Sequence, residues 1–154
     1  MPSGPQGADP IGFRRATERD LDFLYALHVA TMKEYVAKTW GWDDAQQEAA
    51  YCRNHDPAEI QIITHDGSDI GMISIEEGTE DVFVPHIEIS PEYQGRGIGS
   101  SILRRIMADA ALRQKTVSLR VLRVNPARSL YERLGFKIVE EMPTHFSMRT
   151  SLPA

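Results

Sequence analysis

A chain of 154 residues with 42% hydrophobic content, one cysteine and a formal charge of −5 has the size and apolar content of a single globular core. The lone Cys52 excludes an internal disulfide framework and a CxxC metal site, and no apolar run approaches the roughly 20 residues that a bilayer crossing needs, so no membrane partner is expected. The charge is uneven: Gln94 to Arg133 holds nine basic residues against two acidic, a surplus of +7 that leaves −12 for the remainder, so one surface is expected to receive an anion.

The opening MPSGPQGADP, with three prolines and two glycines, reads as a disordered tail over residues 1–10. It lacks the apolar core of a secretion signal, which points to the cytoplasm. From residue 11 to 151 the pattern fits one domain. IGFRRAT (Ile11–Thr17) predicts a strand, and Thr17 or Asp20 a cap for a helix whose buried face includes Leu21, Leu24, Leu27 and Val36. TWGWDD, with Trp40 and Trp42 either side of Gly41, reads as a turn before a short helix over Asp43–Asn54. EIQIITH and IGMISIE are β-branched runs joined by Asp66-Gly67-Ser68-Asp69, a hairpin pattern. VFVPHIEIS (Val82–Ser90) follows as a strand in which Pro85 predicts a bulge, because proline has no N–H for the ladder.

Next comes QGRGIG, then Ile98, Ile102, Leu103, Ile106 and Ala110 at helical spacing. TVSLRVLRV (Thr116–Val124) alternates as a strand. NPARSLYERLGF opens with Asn125 as N-cap and Pro126 in the first helical position, and Gly135 ends that helix. FKIVEE and HFSMRT close the chain as strands. The order β-α-α-β-β-β-α-β-α-β-β gives a mixed α/β domain around one sheet.

Three glycines, Gly95, Gly97 and Gly99, stand between a strand and a helix, where glycine is costly because its unfolded form has the most freedom to lose. Backbone N–H groups converging at a helix start make an anion cradle, most often for phosphate; the competing reading is a tight strand-to-helix corner. The dinucleotide fingerprint fails because Ser100 stands in the third glycine position, and the P-loop fails because Gly-Lys-Ser/Thr is missing.

Gln94-Gly95-Arg96-Gly97-Ile98-Gly99 resembles the Q/R-x-x-G-x-G/A signature of the GCN5-related N-acetyltransferases (GNAT), and NPARSLYERLGF resembles the segment that follows one strand later in that family. Both motifs stand in the family's order over Val82–Lys137. The resemblance implies the GNAT acyl-CoA N-acyltransferase fold, a central, mostly antiparallel sheet with splayed strands flanked by helices, and acetyl-coenzyme A as co-substrate. It implies that the coenzyme lies against Ile87, Glu88 and Ile89 and the turn Gln94, Gly95, Arg96, Gly97, Ile98, Gly99 and Ser100. Asn125, Arg128 and Tyr131 belong to the same implied site, with Arg96, Arg104 and Arg128 as counter-charge for phosphates. Tyr131 stands in the family position of the acid that protonates the departing sulfur, its alternative role being packing on an amphipathic helix.

For the base, Glu88, His86 and a water chain to solvent remain open; Arg120 stands on the next strand, where some relatives carry glutamate. Trp40 and Trp42 fall where relatives build the acceptor wall, or else pack on the core, and His145 reads as structural or pocket-lining. Isolated histidines argue against a metal. The expected reaction is direct transfer of an acetyl group to a primary amine of a small molecule or peptide, a cationic acceptor being favoured by Asp43, Asp44, Glu76, Glu77, Glu80 and Asp81. A non-catalytic acyl-CoA-binding module and a protein N-terminal acetyltransferase are the alternatives. A nucleic-acid partner is not expected, since aromatic residues do not interleave the basic block; a monomer or homodimer is.

Overall fold

The computed structural model describes residues 10–152, so all of the tail expected over residues 1–10 except Pro10 lies outside the described residues. The elements follow the order read from the sequence: β1 (Ile11–Arg15), α1 (Leu21–Trp40), α2 (Asp44–Asn54), β2 (Gln61–His65), β3 (Ser68–Glu77), β4 (Asp81–Ile89), α3 (Ile98–Leu112), β5 (Thr116–Leu122), α4 (Ala127–Leu134), β6 (Lys137–Glu141) and β7 (His145–Arg149). Their local causes are visible. Thr17 and Asp20 form a capping box on a single 3-10 turn that leads into α1. Asp43 caps α2 by accepting from the Gln46 amide, which moves the helix start one residue past the expected Asp43. Asp66 and Gly67 both have positive φ, 49° and 86°, which the two-residue turn joining β2 to β3 requires. At α4 the Asn125 side chain accepts from the Ala127 amide at 2.9 Å, so Asn125 does the capping while Pro126 sits at the boundary.

The strands form one seven-stranded sheet in the order β1-β2-β3-β4-β5-β7-β6, antiparallel except between β4 and β5. That parallel pair runs only from Asp81↔Thr116 to Val84↔Leu119, although both strands continue, so β4 and β5 splay beyond Val84. The cause lies in β4 itself. Between Ser74↔His86 and Glu76↔Phe83, β4 advances three residues while β3 advances two, a bulge around Pro85, where no N–H is available to pair. An extra residue also exchanges the faces. Val82 and Val84 point into the core under α3, whereas Glu88, beyond the bulge, reaches His28 on α1.

Two apolar clusters hold the sheet between its helices. The larger joins Val82, Val84, Val117, Leu119 and Val121 to Ile98, Ile102 and Ala110 of α3 and to Phe136, which is fully buried just past the left-handed Gly135. Removing the Phe136 ring would cost about 3–5 kcal/mol. The smaller packs Leu24 and Leu27 of α1 and Tyr51 of α2 on Ile60, Ile62 and Met72. Of the 20 residues of α1, only Leu24, Leu27 and Val36 are buried, so much of this long helix faces the groove and cavity beside β4.

Candidate active site

The turn after β4 presents its backbone outward. Gly95 and Gly97 have φ of 76° and 79°, and a Cβ added to either would meet nothing within 4 Å; the space in front of them is open. Gln94 N–H donates to the Pro91 carbonyl, and the next amide with a partner is that of Ser101, which donates to Gly97. The six amides from Gly95 to Ser100 have no acceptor among the described residues. Any helix leaves four amides free at its start; here Gly95 and Arg96 extend the set, and the positive end of the α3 dipole lies behind it. The Gln94 side chain, expected among coenzyme contacts, donates through Nε2 to the Ile89 carbonyl at 2.8 Å and ties the turn to β4. These features fit a diphosphate. The turn floors a groove of about 770 Å³ walled by Thr31 and Tyr35 of α1, Ile87 to Ile89 of β4, and Asn125, Tyr131 and Arg133.

The arginines expected as counter-charge divide. The Arg96 guanidinium stacks over Tyr93 at 5.0 Å beside the groove. Arg128 turns elsewhere, over the Phe146 ring at 4.6 Å and within 3.6 Å of Glu132, and Arg104 is exposed on α3; neither lines the groove. Arg133, which the sequence reading passed over, does line it. That residue lies two positions after Tyr131 on the same short helix, and only the packing of α4 beside the turn reveals it.

Where β4 and β5 part, a second cavity of about 380 Å³ opens, and Ile87, Glu88, Asn125 and Tyr131 line both it and the groove. Tyr131 is half-buried, edge-on to Phe136 at 6.0 Å between centroids, and burial pushes its phenol pKa up, which keeps the proton on at neutral pH. From its bulge onward, β4 is unpaired on the side facing β5, so its backbone groups border the passage between the two spaces.

Glu88 is 6% exposed, and its carboxylate makes one contact, Oε2 to His28 Nδ1 at 3.5 Å, the outer limit of a hydrogen bond. Oε1 is buried with no partner. A buried carboxylate left half-satisfied costs several kcal/mol, a debt usually tolerated where a ligand or water completes the site. Around it stand aromatic and imidazole rings: His28 lies 5.0 Å from Tyr51, His55 stacks on Tyr51 at 3.9 Å, and His86 sits 4.8 Å from His55. His55 Nδ1 donates to the Tyr51 carbonyl at 3.0 Å, which leaves Nε2 as its lone-pair nitrogen. Desolvation lowers the pKa values of His55 and His86, each also disfavoured by the neighbouring histidines. His86 keeps access to solvent, yet the protein surrounding it displaces enough water for that effect. The Tyr51 phenol is raised, first by burial and then by the Glu88 charge, and its hydroxyl has no partner.

His28, Tyr51 and His55 were not singled out from the sequence. Tyr51 on α2 and His55 just past its end are four apart, a detectable pair, but nothing linear joins them to His28 or Glu88. Trp40 lines the cavity at its exposed end, 5.7 Å from His145, whose Nδ1 lies 2.8 Å from the Thr144 hydroxyl. Trp42 does not line it: the ring stacks on His28 at 6.0 Å and donates through Nε1 to Asp44 at 2.6 Å, supporting the wall from behind. None of the six acids that favoured a cationic acceptor lines this cavity. Asp43 caps α2, Asp44 holds Trp42, Glu77 pairs with Arg113 and Lys115, Asp81 bonds Thr116 and Ser118, Glu76 borders a separate cleft by Arg15 and Asn54, and Glu80 is exposed. Among the described residues no group of three His, Cys, Asp or Glu is arranged to hold a metal ion, and no helix is long and apolar enough to cross a membrane.

An acetyltransferase (GNAT) domain family matches residues 56–138, more than half of the chain. No curated protein sequence matches it. Among solved structures the fold is similar to the PaiA N-acetyltransferase of Thermoplasma acidophilum in complex with coenzyme A, with a TM-score of 0.73 and 19% identity over 92% of this chain and 98% of that one. It is also similar to the ribosomal-protein-S18-alanine N-acetyltransferase of Escherichia coli, with a TM-score of 0.62 and 19% identity over 93% of each chain. A third similar structure is Arabidopsis thaliana Naa50 in complex with a bisubstrate analogue, with a TM-score of 0.62 and 16% identity over 93% of this chain and 99% of that one. At these identities the likeness carries the fold, while the family match rests on the sequence that builds the free-amide turn and the splayed strands. The chain belongs to the GNAT acetyltransferase family.

Proposed function

We propose that residues 11–151 act as one N-acetyltransferase domain that moves an acetyl group from acetyl-coenzyme A directly to a primary amine of a small molecule or peptide. One observation carries this reading: a run of six unpartnered amides opens onto a groove that joins, at Tyr131 and Asn125, a cavity holding a buried carboxylate with a free oxygen. When bound, acetyl-coenzyme A supplies the thioester whose C–S bond is exchanged for a C–N bond. The Gly95–Ser100 amides grip its diphosphate, with Arg96 and Arg133 beside them. The unpaired edge of β4 offers N–H donors to the carbonyl oxygen as negative charge develops there, a contribution of about 3–4 kcal/mol in comparable sites.

Two proton transfers complete the exchange. Holding a lysine-like amine neutral at pH 7 costs about 4.6 kcal/mol, against about 1 kcal/mol for an α-amine. Glu88 is the base for that proton: its unpartnered Oε1 accepts it, and His28 holds the other oxygen. His86 shares the same face and, its pKa lowered by the protein packed around it, is a second acceptor along the way to solvent. Tyr131, its phenol held protonated, returns a proton to the departing sulfur. Transfer is direct because the one cysteine, Cys52, is exposed on α2 and lines neither groove nor cavity. Thiol release from acetyl-coenzyme A across a panel of amines tests the reading. Amine-dependent release with acetylated product is the expected result; tight coenzyme binding with no release from any amine would leave a binding module instead.

A further inference from the structure

The charges lining the acceptor cavity are few and set apart. Among the described residues Glu88 is the one carboxylate in its lining, and Arg120 the one guanidinium or ammonium. Arg120 projects from β5 just past Leu119, where pairing with β4 has ended. It is exposed, its guanidinium rests over the Phe83 ring at 5.4 Å, and among the described residues it has no carboxylate partner. Other arginines around this half of the sheet are neutralised within the protein: Arg123 by Glu141, Arg149 by Asp81, Arg128 by Glu132. His145, also in the cavity wall, has its pKa lowered by burial and by the charge of Arg120, so it adds no competing positive charge at neutral pH.

The two charges also stand apart along the strands. Glu88 lies four residues past Val84 on β4, and Arg120 one residue past Leu119, the partner of Val84. The bulge around Pro85 takes up one of those four β4 residues, so at about 3.3 Å per residue their backbones are offset by about 7 Å along the strand direction. Trp40 and Phe83 add aromatic surface to the same lining. A plain or doubly cationic amine would leave Arg120 unmatched or repelled. An amine with a carboxylate at its far end would satisfy both charges, since a planar guanidinium can bind a carboxylate through two parallel hydrogen bonds.

We infer that the acceptor is an amino acid in the broad sense, a molecule or peptide segment bearing an anionic carboxylate besides the amine to be acetylated, and that Arg120 is the residue that selects it. This rests on the transferase reading above, and the experiment separates the two. Three amines of equal chain length but different far ends are compared as acceptors: butylamine, 4-aminobutyrate and 1,4-diaminobutane. The pair phenylalanine and 2-phenylethylamine covers the shorter spacing. Wild-type protein is expected to prefer the carboxylate member of at least one set by about tenfold to hundredfold in kcat/KM, carried mainly by KM. Arg120→Gln collapses that ratio towards one, and Arg120→Glu turns it towards 1,4-diaminobutane. In parallel, calorimetry on protein saturated with coenzyme A reads the binding of 4-aminobutyrate or phenylalanine directly, and Arg120→Gln weakens the one that binds. Thermal unfolding reports whether the variants fold, as an exposed side chain leads one to expect. Acetylation of all members alike, or a diamine preference in wild-type protein, overturns the selection by Arg120 and leaves the transferase standing. Failure of every amine to release thiol overturns both.

Discussion

The turn that faces the groove and the cavity beyond it are built on opposite principles. From Gly95 to Ser100 the chemistry belongs to the backbone: amides exposed because two residues take left-handed φ and a helix begins, with no side chain needed to aim them. In and behind the cavity wall the chemistry belongs to side chains carried by α1, α2, β4, β5, α4 and β7, none of which has its role without the others. A site made from main chain in one short segment can be written into a short motif. One assembled from six elements cannot, and its parts are free to vary with the acceptor while the first half stays fixed.

Substitutions can test that division. The largest effect is expected at Gly97→Glu, where a carboxylate enters the space before the free amides: coenzyme A affinity by calorimetry should fall more than about a hundredfold. Gly97→Ala is the sharper control. Its Cβ meets no atom, so the cost is the positive φ alone, about 1 kcal/mol in stability and a far smaller loss in affinity. A comparable loss of affinity in both variants would mean that turn shape, and not anion attraction, governs the cradle.

Next in size is Glu88→Gln, which keeps the volume and removes the proposed base. We expect kcat to fall about 10²- to 10³-fold while coenzyme affinity stays within about threefold. Loss of both together would show that groove and cavity are not separable. Tyr131→Phe should lower kcat about 10- to 100-fold, with the deficit smallest for acceptors tested at high pH, where the leaving thiolate needs the acid least.

The smallest effect concerns stability. His55 and His86 have folded-state pKa values below the ordinary 6.5, so at lower pH the unfolded chain binds protons that the folded one refuses. Their contribution is intact above pH 6.5 and is lost as pH falls below it towards their folded values. Lowering the pH from 7 to 5 should therefore reduce Tm by a few degrees, about 2–4 °C per kcal/mol for a domain of this size, and His86→Gln should flatten the slope. Glu77, held at about 2 by hydrogen bonds from Arg113 and Lys115, and Asp20, held at about 2 chiefly by Arg14, act in a separate window. Their stabilisation is present above the ordinary carboxylate range and disappears only as pH drops from about 4.5 towards 2. A single transition spanning both windows would refute the assignment.

Much of the architecture was legible because local rules decide it. Thr17, Asn125 and Gly135 cap helices by their own side chains or their own φ, Asp66-Gly67 dictates its turn, and Pro85 cannot pair, so it bulges wherever the strand lies. The turn with its free amides was legible for the same reason. Arg128 and Trp42 show where reading along the chain stops: each stands in the right segment, but packing against Phe146 and His28 sends it elsewhere. The acidic surplus gave no guide to the acceptor, since those carboxylates are spent on caps, tryptophan anchoring and surface ion pairs.

The sequence by itself determined the order of elements, the exposed amides at the start of α3 and the bulge in β4, because each follows from φ preferences, caps and one missing N–H within a few neighbouring residues, whereas the parting of β4 from β5 was implied by the family resemblance. Only the tertiary structure decided that Glu88 lies buried against His28 with one oxygen free, that Tyr51, His55 and His86 gather around it, and that Arg120 faces the same cavity with no carboxylate partner among the described residues. Those relations join residues up to about ninety positions apart, and the bulge that turns Glu88 towards α1 acquires its meaning only once α1 has packed there.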